Sequence, residues 1–202
     1  NHGTGTYTEL SPKLAIEYYV TDSLNVYASY GHSFNPPPLS QVYRYSDIVK
    51  ANPNLDPERS DSFEIGLKKE WNTKTTLNVS GFYVKTKDKV KYLTYYDNSG
   101  NVDYKMYNNV DEESRRGVEL EVRHQLSSKW SVFGNYTWQT GRIKHKELPN
   151  TNASEYAEVN YDIPKHTFHA GVEYTSGKWN ALWDAQYVSR RQSVDDVTGQ
   201  YG

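Results

Sequence analysis

Side chains that commonly carry catalysis or bind metals are sparse in this sequence of 202 residues. It has no cysteine, which excludes thiolate and disulfide chemistry, and only six histidines. His166 and His169 are three residues apart, a spacing that puts them on opposite faces of a β-strand, where they cannot share a metal ion. Glu119 and Glu121 would share a strand face, and paired carboxylates can perform acid–base catalysis. Such a pair more often has a structural role, in which the carboxylates on the wet face of a sheet form ion pairs with a cation such as Arg123. The residues therefore predict neither an enzyme nor a bound cofactor.

The elements that would position these side chains are β-strands. Apolar and polar residues alternate with a period of two over most of the chain, as in 63–68 and 118–123, and no helical period persists. Eight strands are predicted, at about 14–20, 24–31, 60–71, 75–96, 102–126, 130–138, 168–174 and 179–187. The sequence thus predicts an all-β fold, an antiparallel up-and-down meander of about eight strands.

The amino-acid composition further restricts the class of protein to which the chain can belong. Hydrophobic residues make up 36% of the chain and charged residues 24%, and no run approaches the roughly 18 apolar residues that a membrane-spanning helix needs. Aromatic residues reach 14%, which is not the composition of a disordered chain. The net charge of −2 argues against a nucleic acid partner. Abundant aromatics on a polar background favour strands with one apolar and one wet face, as in a transmembrane barrel.

The predicted connections alternate between two lengths. Turns of about three residues lie at 21–23, 72–74, 127–129 and 176–178, whereas the connections near 35–59 and 146–162 are long and that at 97–101 caps two very long strands. This asymmetry is typical of bacterial outer-membrane barrels. Trp71, Trp130 and Trp179 each adjoin a short turn, where a periplasmic aromatic girdle would lie, although the core of a β-sandwich could also hold them.

Two structural predictions follow from the alternation. Residues 75–96 and 102–126 should form an antiparallel hairpin with a turn near Asn98–Gly100. Its upper part should stand clear of the bilayer, because Asp111-Glu112-Glu113 is too charged to face lipid.

One continuous apolar face should carry Val118, Leu120, Val122, Trp179, Trp183 and Tyr187. The opposite face should carry Glu119, Glu121, Asp184 and Gln186.

Several motifs resemble those of one protein family. They are Tyr-Gly-His-Ser-Phe-Asn-Pro-Pro at 30–37, Asn-Pro-Asn-Leu-Asp-Pro-Glu-Arg-Ser at 52–60, Phe-Glu-Ile-Gly-Leu-Lys at 63–68, Arg-Gly-Val-Glu-Leu-Glu at 116–121 and Ile-Pro-Lys-His-Thr at 163–167. Over residues 11–192 their order resembles the barrel of TonB-dependent outer-membrane receptors. The resemblance implies a 22-stranded transmembrane β-barrel with a plugged lumen, located in the bacterial outer membrane, that imports scarce nutrients. The eight predicted strands are about a third of such a barrel. We therefore expect 1–202 to be a partial barrel domain, without the plug domain through which TonB would act.

The resemblance directs attention to the long loops as a ligand site. Aromatic faces and a cation suit a flat anionic iron chelate, such as a ferric siderophore. The candidate ligand-binding residues are Tyr43, Arg44, Tyr45, Tyr156 and Tyr161, although loop tyrosines can simply pack a loop on itself. Residues 35–51 contain no histidine, which makes haem a less favoured ligand, whereas cobalamin stays open.

Two other interpretations remain at this point. The chain could be a complete eight-stranded outer-membrane barrel with a structural or adhesive role, or a soluble β-sandwich or an enzyme on a β scaffold. If it is part of a larger barrel, the first and last strands have unpaired edges, which lipid does not tolerate. A fragment made alone would then close into a smaller barrel, self-associate through those edges, or be covered by a partner.

Overall fold

The computed structural model describes residues 7–43, 46–152 and 163–191, together with the backbone of 156–159. These residues form one antiparallel sheet with the strand order β1-β2-β3-β4-β5-β6-β8-β9. The short strand β7 lies off this path and pairs with β6 alone. The elements are β1 Lys13–Thr21, β2 Leu24–Asn35, α1 Leu39–Val42, β3 Glu58–Trp71, β4 Thr75–Tyr96, β5 Val102–Gln125, β6 Trp130–His145, β7 Tyr156–Val159, β8 His166–Ser176 and β9 Trp179–Val188. None of the described helical residues form a segment that is long and apolar enough to cross a membrane.

The predicted meander is confirmed, with two additions in the predicted loops. β6 is longer than predicted, and β8 pairs with it only as far as Trp138. Its upper end, Arg142–His145, therefore has a free edge, which the short strand β7 occupies. The four-residue helix α1 follows Pro38, whose extended backbone (φ −63°, ψ 148°) leads into the turn. Elements this short leave no period in the sequence, so alternation could not have revealed them.

The two faces of the sheet have opposite character, as predicted. One row of directly paired residues crosses the sheet from β1 to β9: Tyr18, Val26, Leu67, Val79, Leu120, Tyr136, Phe168 and Tyr187. The adjacent row on the other face comprises Glu17, Tyr27, Gly66, Ser80, Glu119, Thr137, Thr167 and Val188. We call these the outward face and the inner face. The register also places Trp183 with Val172 and Val132 on the outward face, and Asp184 with Gly171 on the inner face.

The outward face carries all five tryptophans, each at least 37% exposed. On three strands an outward aromatic residue lies at each end of the apolar stretch, eight residues apart: Phe63 and Trp71, Trp130 and Trp138, and Trp179 and Tyr187. Eight residues span about 27 Å of strand, or about 21 Å vertically at the usual barrel tilt. This height suits the apolar band of a membrane barrel, and the lower aromatics adjoin the short turns as predicted.

Aromatic rings on the inner face lie over glycines of the next strand. A Cβ atom at Gly66 would come within 2.6 Å of the Tyr27 ring, and one at Gly117 within 2.7 Å of the Phe82 ring. Phe133 lies over Gly171 in the same way, at 2.5 Å. These positions require glycine because any side chain would displace the ring. The rings therefore lie along the inner wall instead of projecting from it.

The predicted hairpin is also confirmed. β4 and β5 pair from Thr75 and His124 up to Tyr96 and Val102, so residues 102–112 are strand. At the tip, the Gly100 N–H donates to the Asp97 carbonyl at 3.0 Å, and Gly100 has the positive φ of 82° that the turn needs.

The sheet is open at both sides in the described part of the chain. β1 pairs with β2 and β9 with β8, and no register joins β1 to β9. Both edge strands are exposed along their whole length. The described strands therefore do not close into the eight-stranded ring of the alternative interpretation. Self-association through the open edges stays a prediction.

Candidate functional site

The long connections gather at the end of the sheet opposite the short turns. The buried apolar side chains of the described residues all lie there: Val42, Val49, Leu55, Leu93 and Val110, each at most 5% exposed. They belong to residues 36–57 and to the upper hairpin at 88–110, and residues 146–152 lie against that hairpin. We call these three segments the apical layer. A core of its own indicates that this layer is packed structure rather than a set of separate loops.

Residues 46–57 pack against β5. The Lys105 N–H donates to the Ile48 carbonyl at 2.7 Å, and the Lys50 N–H donates to the Lys105 carbonyl at 2.9 Å. Asn52 then donates through Nδ2 to the Tyr107 carbonyl at 2.8 Å. The Asn54 N–H donates to the Asn52 side chain, the local bond expected of the turns predicted for 52–57.

Residues 150–152 pack against the other strand of the hairpin. The Tyr96 N–H donates to the Asn150 carbonyl at 2.8 Å, and the Asn152 N–H donates to the Thr94 carbonyl at 3.1 Å. The Asn152 side-chain oxygen accepts the Thr94 N–H at 3.0 Å. Asn150 has a positive φ of 59°, a conformation that asparagine tolerates better than most residues.

The two segments reach the hairpin from opposite sides. Below Thr86, β4 is flanked by β3 and β5 by β6. In the apical layer β4 is flanked by 150–152, which follow β6, and β5 by 46–50, which precede β3. The register of the hairpin shifts on either side of Lys89, and Asp88 has a positive φ of 57°. Because a bulge increases the local twist of a β-ribbon, it accounts for this exchange of neighbours.

Ionic contacts hold the base of the apical layer. Arg59 donates to Glu9 at 2.7 Å and to Asp88 at 3.0 Å, which ties β3 to the segment before β1 and to the bulge. His145 is buried and contacts Asp111 at 2.9 Å across β5 and β6. These contacts fix the layer on the sheet below it.

Tyrosines and a lysine form the main aromatic cluster of the layer. The rings of Tyr95 and Tyr104 stack with centroids 4.5 Å apart and planes at 11°, and the exposed Lys50 ammonium lies 3.5 Å from the Tyr104 centroid. Three residue pairs further down, and on the opposite face of the hairpin, Tyr92 and Tyr107 form a second contact at 4.7 Å. Burial raises the pKa of the Tyr95 phenol above its ordinary value, so this group is neutral at physiological pH. The cluster presents aromatic surface and one positive charge.

The structure locates only part of the predicted ligand site. Tyr43 ends α1, where its N–H donates to the Leu39 carbonyl at 2.9 Å, and its side chain is 39% exposed. Tyr156 begins β7 opposite His145, but its side chain, like Arg44, Tyr45 and Tyr161, lies outside the described residues. The role of these five residues stays a prediction.

Sequence analysis missed Lys50, Tyr95 and Tyr104. Counting outward from the predicted turn at 98–100 would have paired Tyr95 with Asp103, because the register shifts by one residue between Tyr95 and Tyr96. The stack of Tyr95 on Tyr104 therefore depends on an irregularity that the turn residues do not encode. The position of Lys50 depends on how 46–50 dock on β5, which no local pattern encodes.

On the inner face one predicted pairing was wrong. Arg123 does not pair with Glu119 or Glu121 but donates to both carboxylate oxygens of Glu173, at 2.9 and 3.3 Å. Glu121 accepts instead from Asn78 at 3.1 Å. β6 pairs with β5 on one side and with β8 on the other. The long side chain of Arg123 on β5 therefore reaches across β6 to Glu173 on β8.

The described histidines are all hydrogen bonded to neighbouring side chains. Their partners are Asp61 for His32, Thr75 for His124, Asp111 for His145, Tyr136 for His166 and Asp184 for His169. No group of three or more potential metal ligands occurs among the described residues. Within the part of the chain that the structure describes, the candidate site is the aromatic cluster of the apical layer.

Comparison with known proteins agrees with this arrangement. The model of the family described as TonB dependent receptor-like, beta-barrel, matches residues 1–201. The chain belongs to this family. Its members are outer-membrane proteins, and the outward aromatic face described above suits that location.

Curated relatives in the family are receptors. The chain is 27% identical to the probable TonB-dependent siderophore receptor PiuA of Acinetobacter baumannii, over 86% of this chain and 26% of that protein. It is 26% identical to the Heme/hemopexin utilization protein C of Haemophilus influenzae, over 82% and 27%. It is 24% identical to the ferrioxamine receptor of Yersinia enterocolitica, over 89% and 23%. The chain spans about a quarter of the length of these relatives.

Solved structures show the same fold. The FrpB iron transporter of Neisseria meningitidis matches with a TM-score of 0.68 and 16% identity, over 96% of this chain and 30% of that one. The pyoverdine outer membrane receptor FpvA of Pseudomonas aeruginosa matches with a TM-score of 0.65 and 18% identity, over 95% and 27%. The open sheet is thus similar to a sector of these barrels.

Proposed function

We propose that this chain is part of an outer-membrane receptor that imports an iron complex of the ferric siderophore class with energy relayed through TonB. The observation that carries the proposal is the interlocked apical layer, in which the long connections pack together around the Lys50–Tyr104–Tyr95 cluster. Its relatives include a probable siderophore receptor and a ferrioxamine receptor. The protein would act by binding and transport rather than by catalysis.

The chemistry of the cluster favours an anionic chelate. An exposed ammonium held over a phenol ring provides positive charge next to aromatic surface. The ammonium attracts a negatively charged metal complex, and the aromatic surface provides apolar contact for a flat ligand. Residues 35–51 contain no histidine, which favours a siderophore over haem. The predicted residues Tyr43, Arg44, Tyr45, Tyr156 and Tyr161 would add to the same surface.

Uptake of iron complexes tests this function. The full-length receptor is produced in a bacterial strain that lacks its own siderophore receptors, and uptake is measured for ferric hydroxamate and catecholate siderophores, haem and cobalamin. We expect uptake of a ferric siderophore that stops when TonB is deleted. The deletion serves as the control, because leakage through a defective barrel would not depend on TonB. Uptake of haem or cobalamin alone, or of no complex at all, would contradict the proposal.

A further inference from the structure

Side-chain hydrogen bonds connect the loop motif at 52–60 to the aromatic cluster of the apical layer. Asn52 Nδ2 donates to Asn108 Oδ1 at 3.1 Å, across 56 residues of the chain. Asn108 Nδ2 donates in turn to the hydroxyl oxygen of Tyr95 at 2.7 Å. We call these three residues the amide relay. The proposed function places the tyrosine in the ligand site but gives the two asparagines no role.

The main chain determines how the first amide of the relay is oriented. An asparagine side chain accepts hydrogen bonds through its oxygen and donates them through its nitrogen. The Asn54 N–H needs an acceptor and contacts Asn52 Oδ1 at 3.1 Å, whereas the Tyr107 carbonyl needs a donor and contacts Asn52 Nδ2 at 2.8 Å. The nitrogen of Asn52 also faces Asn108, which must therefore accept this bond through its own oxygen.

This orientation makes the Tyr95 hydroxyl a donor. Because the oxygen of Asn108 accepts from Asn52, its nitrogen faces Tyr95 and donates to the phenol oxygen. The phenol proton then points away from Asn108 and is available to another acceptor. A phenol without such a neighbour can either donate or accept, so the relay decides which of the two a ligand meets. Burial raises the pKa of Tyr95, which keeps this proton on the oxygen at physiological pH.

The donor belongs to the same stack of rings that carries the positive charge. Tyr95 stacks on Tyr104 with ring centroids 4.5 Å apart, and the Lys50 ammonium lies 3.5 Å from the Tyr104 centroid. Both tyrosine side chains are only partly buried and Lys50 is exposed, so a ligand can contact all three. An ammonium group and a phenol O–H both donate hydrogen bonds, and a negatively charged oxygen is the acceptor that binds them most strongly.

We propose that the amide relay holds Tyr95 as a hydrogen-bond donor, so that the site selects iron chelates with an anionic oxygen group on the edge that meets the cluster. This inference rests on the proposed function, and it makes Asn52 and Asn108 positioning residues that act through Tyr95. A chelate with an ammonium group on the same edge is disfavoured, because Lys50 repels it and the phenol oxygen already accepts from Asn108.

Selectivity between two forms of one chelate tests this role. Equilibrium binding to the full-length receptor is measured for a linear ferric trihydroxamate whose terminal amine is either free or succinylated, so that the end group is an ammonium or a carboxylate. The first variant, Tyr95→Phe, removes the donor and keeps the ring. The second, Asn108→Asp, keeps the shape of the side chain but reverses the relay, because a carboxylate accepts the Tyr95 O–H instead of donating to the phenol oxygen.

Each variant has a matched control on the same hairpin. Tyr92→Phe removes a hydroxyl from the same strand on the opposite face, and Asn98→Asp adds the same negative charge at the exposed tip. Both controls should keep the selectivity of the wild type.

We expect the wild type to bind the carboxylate form at least about tenfold more tightly than the ammonium form, the effect of one hydrogen bond to a charged group. Tyr95→Phe should reduce this ratio to about threefold or less, and Asn108→Asp should abolish or reverse it. A purely structural role would weaken binding of both forms by the same factor, and an unchanged ratio in the two variants would overturn the proposal.

A wild-type receptor that binds both forms equally, or neither of them, would also overturn the selectivity. The uptake assay separates this result from failure of the proposed function, because TonB-dependent import of any ferric siderophore would still support that function.

Discussion

Asp56 and Asn109 are joined by two reciprocal hydrogen bonds although 53 residues separate them in the chain. The Asp56 N–H donates to Asn109 Oδ1 at 2.9 Å, and Asn109 Nδ2 donates to the Asp56 carbonyl at 2.9 Å. Asn109 Nδ2 also contacts the carbonyl oxygen of Asp88 at the bulge, at 2.6 Å. One side chain thus connects the first long connection, the hairpin and the bulge that twists it.

Replacing this side chain should release residues 52–57 from the hairpin. Asn109→Ala removes these contacts, each hydrogen bond contributing about 0.5–1.5 kcal/mol, so opening of the segment should become easier by about 1–3 kcal/mol. Hydrogen exchange of the amides in 52–57 should accelerate by about tenfold or more. Asn98→Ala, at the exposed hairpin tip, is the matched control and should leave these rates unchanged. Unchanged exchange in Asn109→Ala would contradict this role and would show that the buried Leu55 and the Asn52–Tyr107 bond hold the segment without Asn109.

The two faces of the sheet should respond oppositely to an introduced arginine. Leu120 is on the outward face in the middle of the apolar band, and Thr137 is on the inner face opposite Glu119. Leu120→Arg should lower the free energy of unfolding in lipid vesicles by about 2–4 kcal/mol, the cost of a basic residue near the bilayer midplane. Thr137→Arg should cost much less because it faces Glu119. Equal losses in a urea titration of the full-length receptor would contradict the assignment of the lipid face.

The sequence predicted those features that depend on local patterns. Alternation assigned Leu120 and Glu121 to opposite faces, and turn residues placed the hairpin tip at Asn98–Gly100. Both signals act within a few residues, and a slip of one residue would turn every apolar side chain to the wrong face. Register is therefore strongly determined, and the structure confirms both predictions.

Features that depend on distant contacts were not predictable in this way. The partner of Arg123 is Glu173, which lies two strands away on β8, so the contact crosses β6 and is not a pairing between directly opposed residues. The exchange of neighbours around the hairpin depends on a twist at Asp88, which a sequence shows only as one more charged residue. The position of Lys50 over Tyr104 depends in turn on that exchange.

The hairpin tip offers a pH-dependent measurement. The Asp97 carboxylate accepts the N–H groups of Asn101 and Ser99, at 2.9 and 2.8 Å, and these bonds, the one from Asn101 above all, lower the pKa of Asp97. A lowered pKa means that the contribution to stability is present above the unfolded pKa of about 3.9 and is lost as the pH falls through the folded pKa. Carbon-13 NMR of the labelled carboxyl group should give a midpoint below about 3.9. A midpoint at or above the ordinary value would mean that the tip is open in solution.

Ligand affinity of apical-layer variants tests the central claim most directly. Equilibrium binding of the ferric siderophore that the full-length receptor imports is measured for Lys50→Gln, Tyr104→Leu and the control Lys74→Gln, whose site is at the opposite end of the strands. We predict that each apical variant binds about three- to thirtyfold more weakly, the range expected for losing a cation–π or charge contact with the ligand, and that Lys74→Gln binds like the wild type. Wild-type affinity in both apical variants would contradict the account, because the cluster would then support the fold of the apical layer without contacting the ligand.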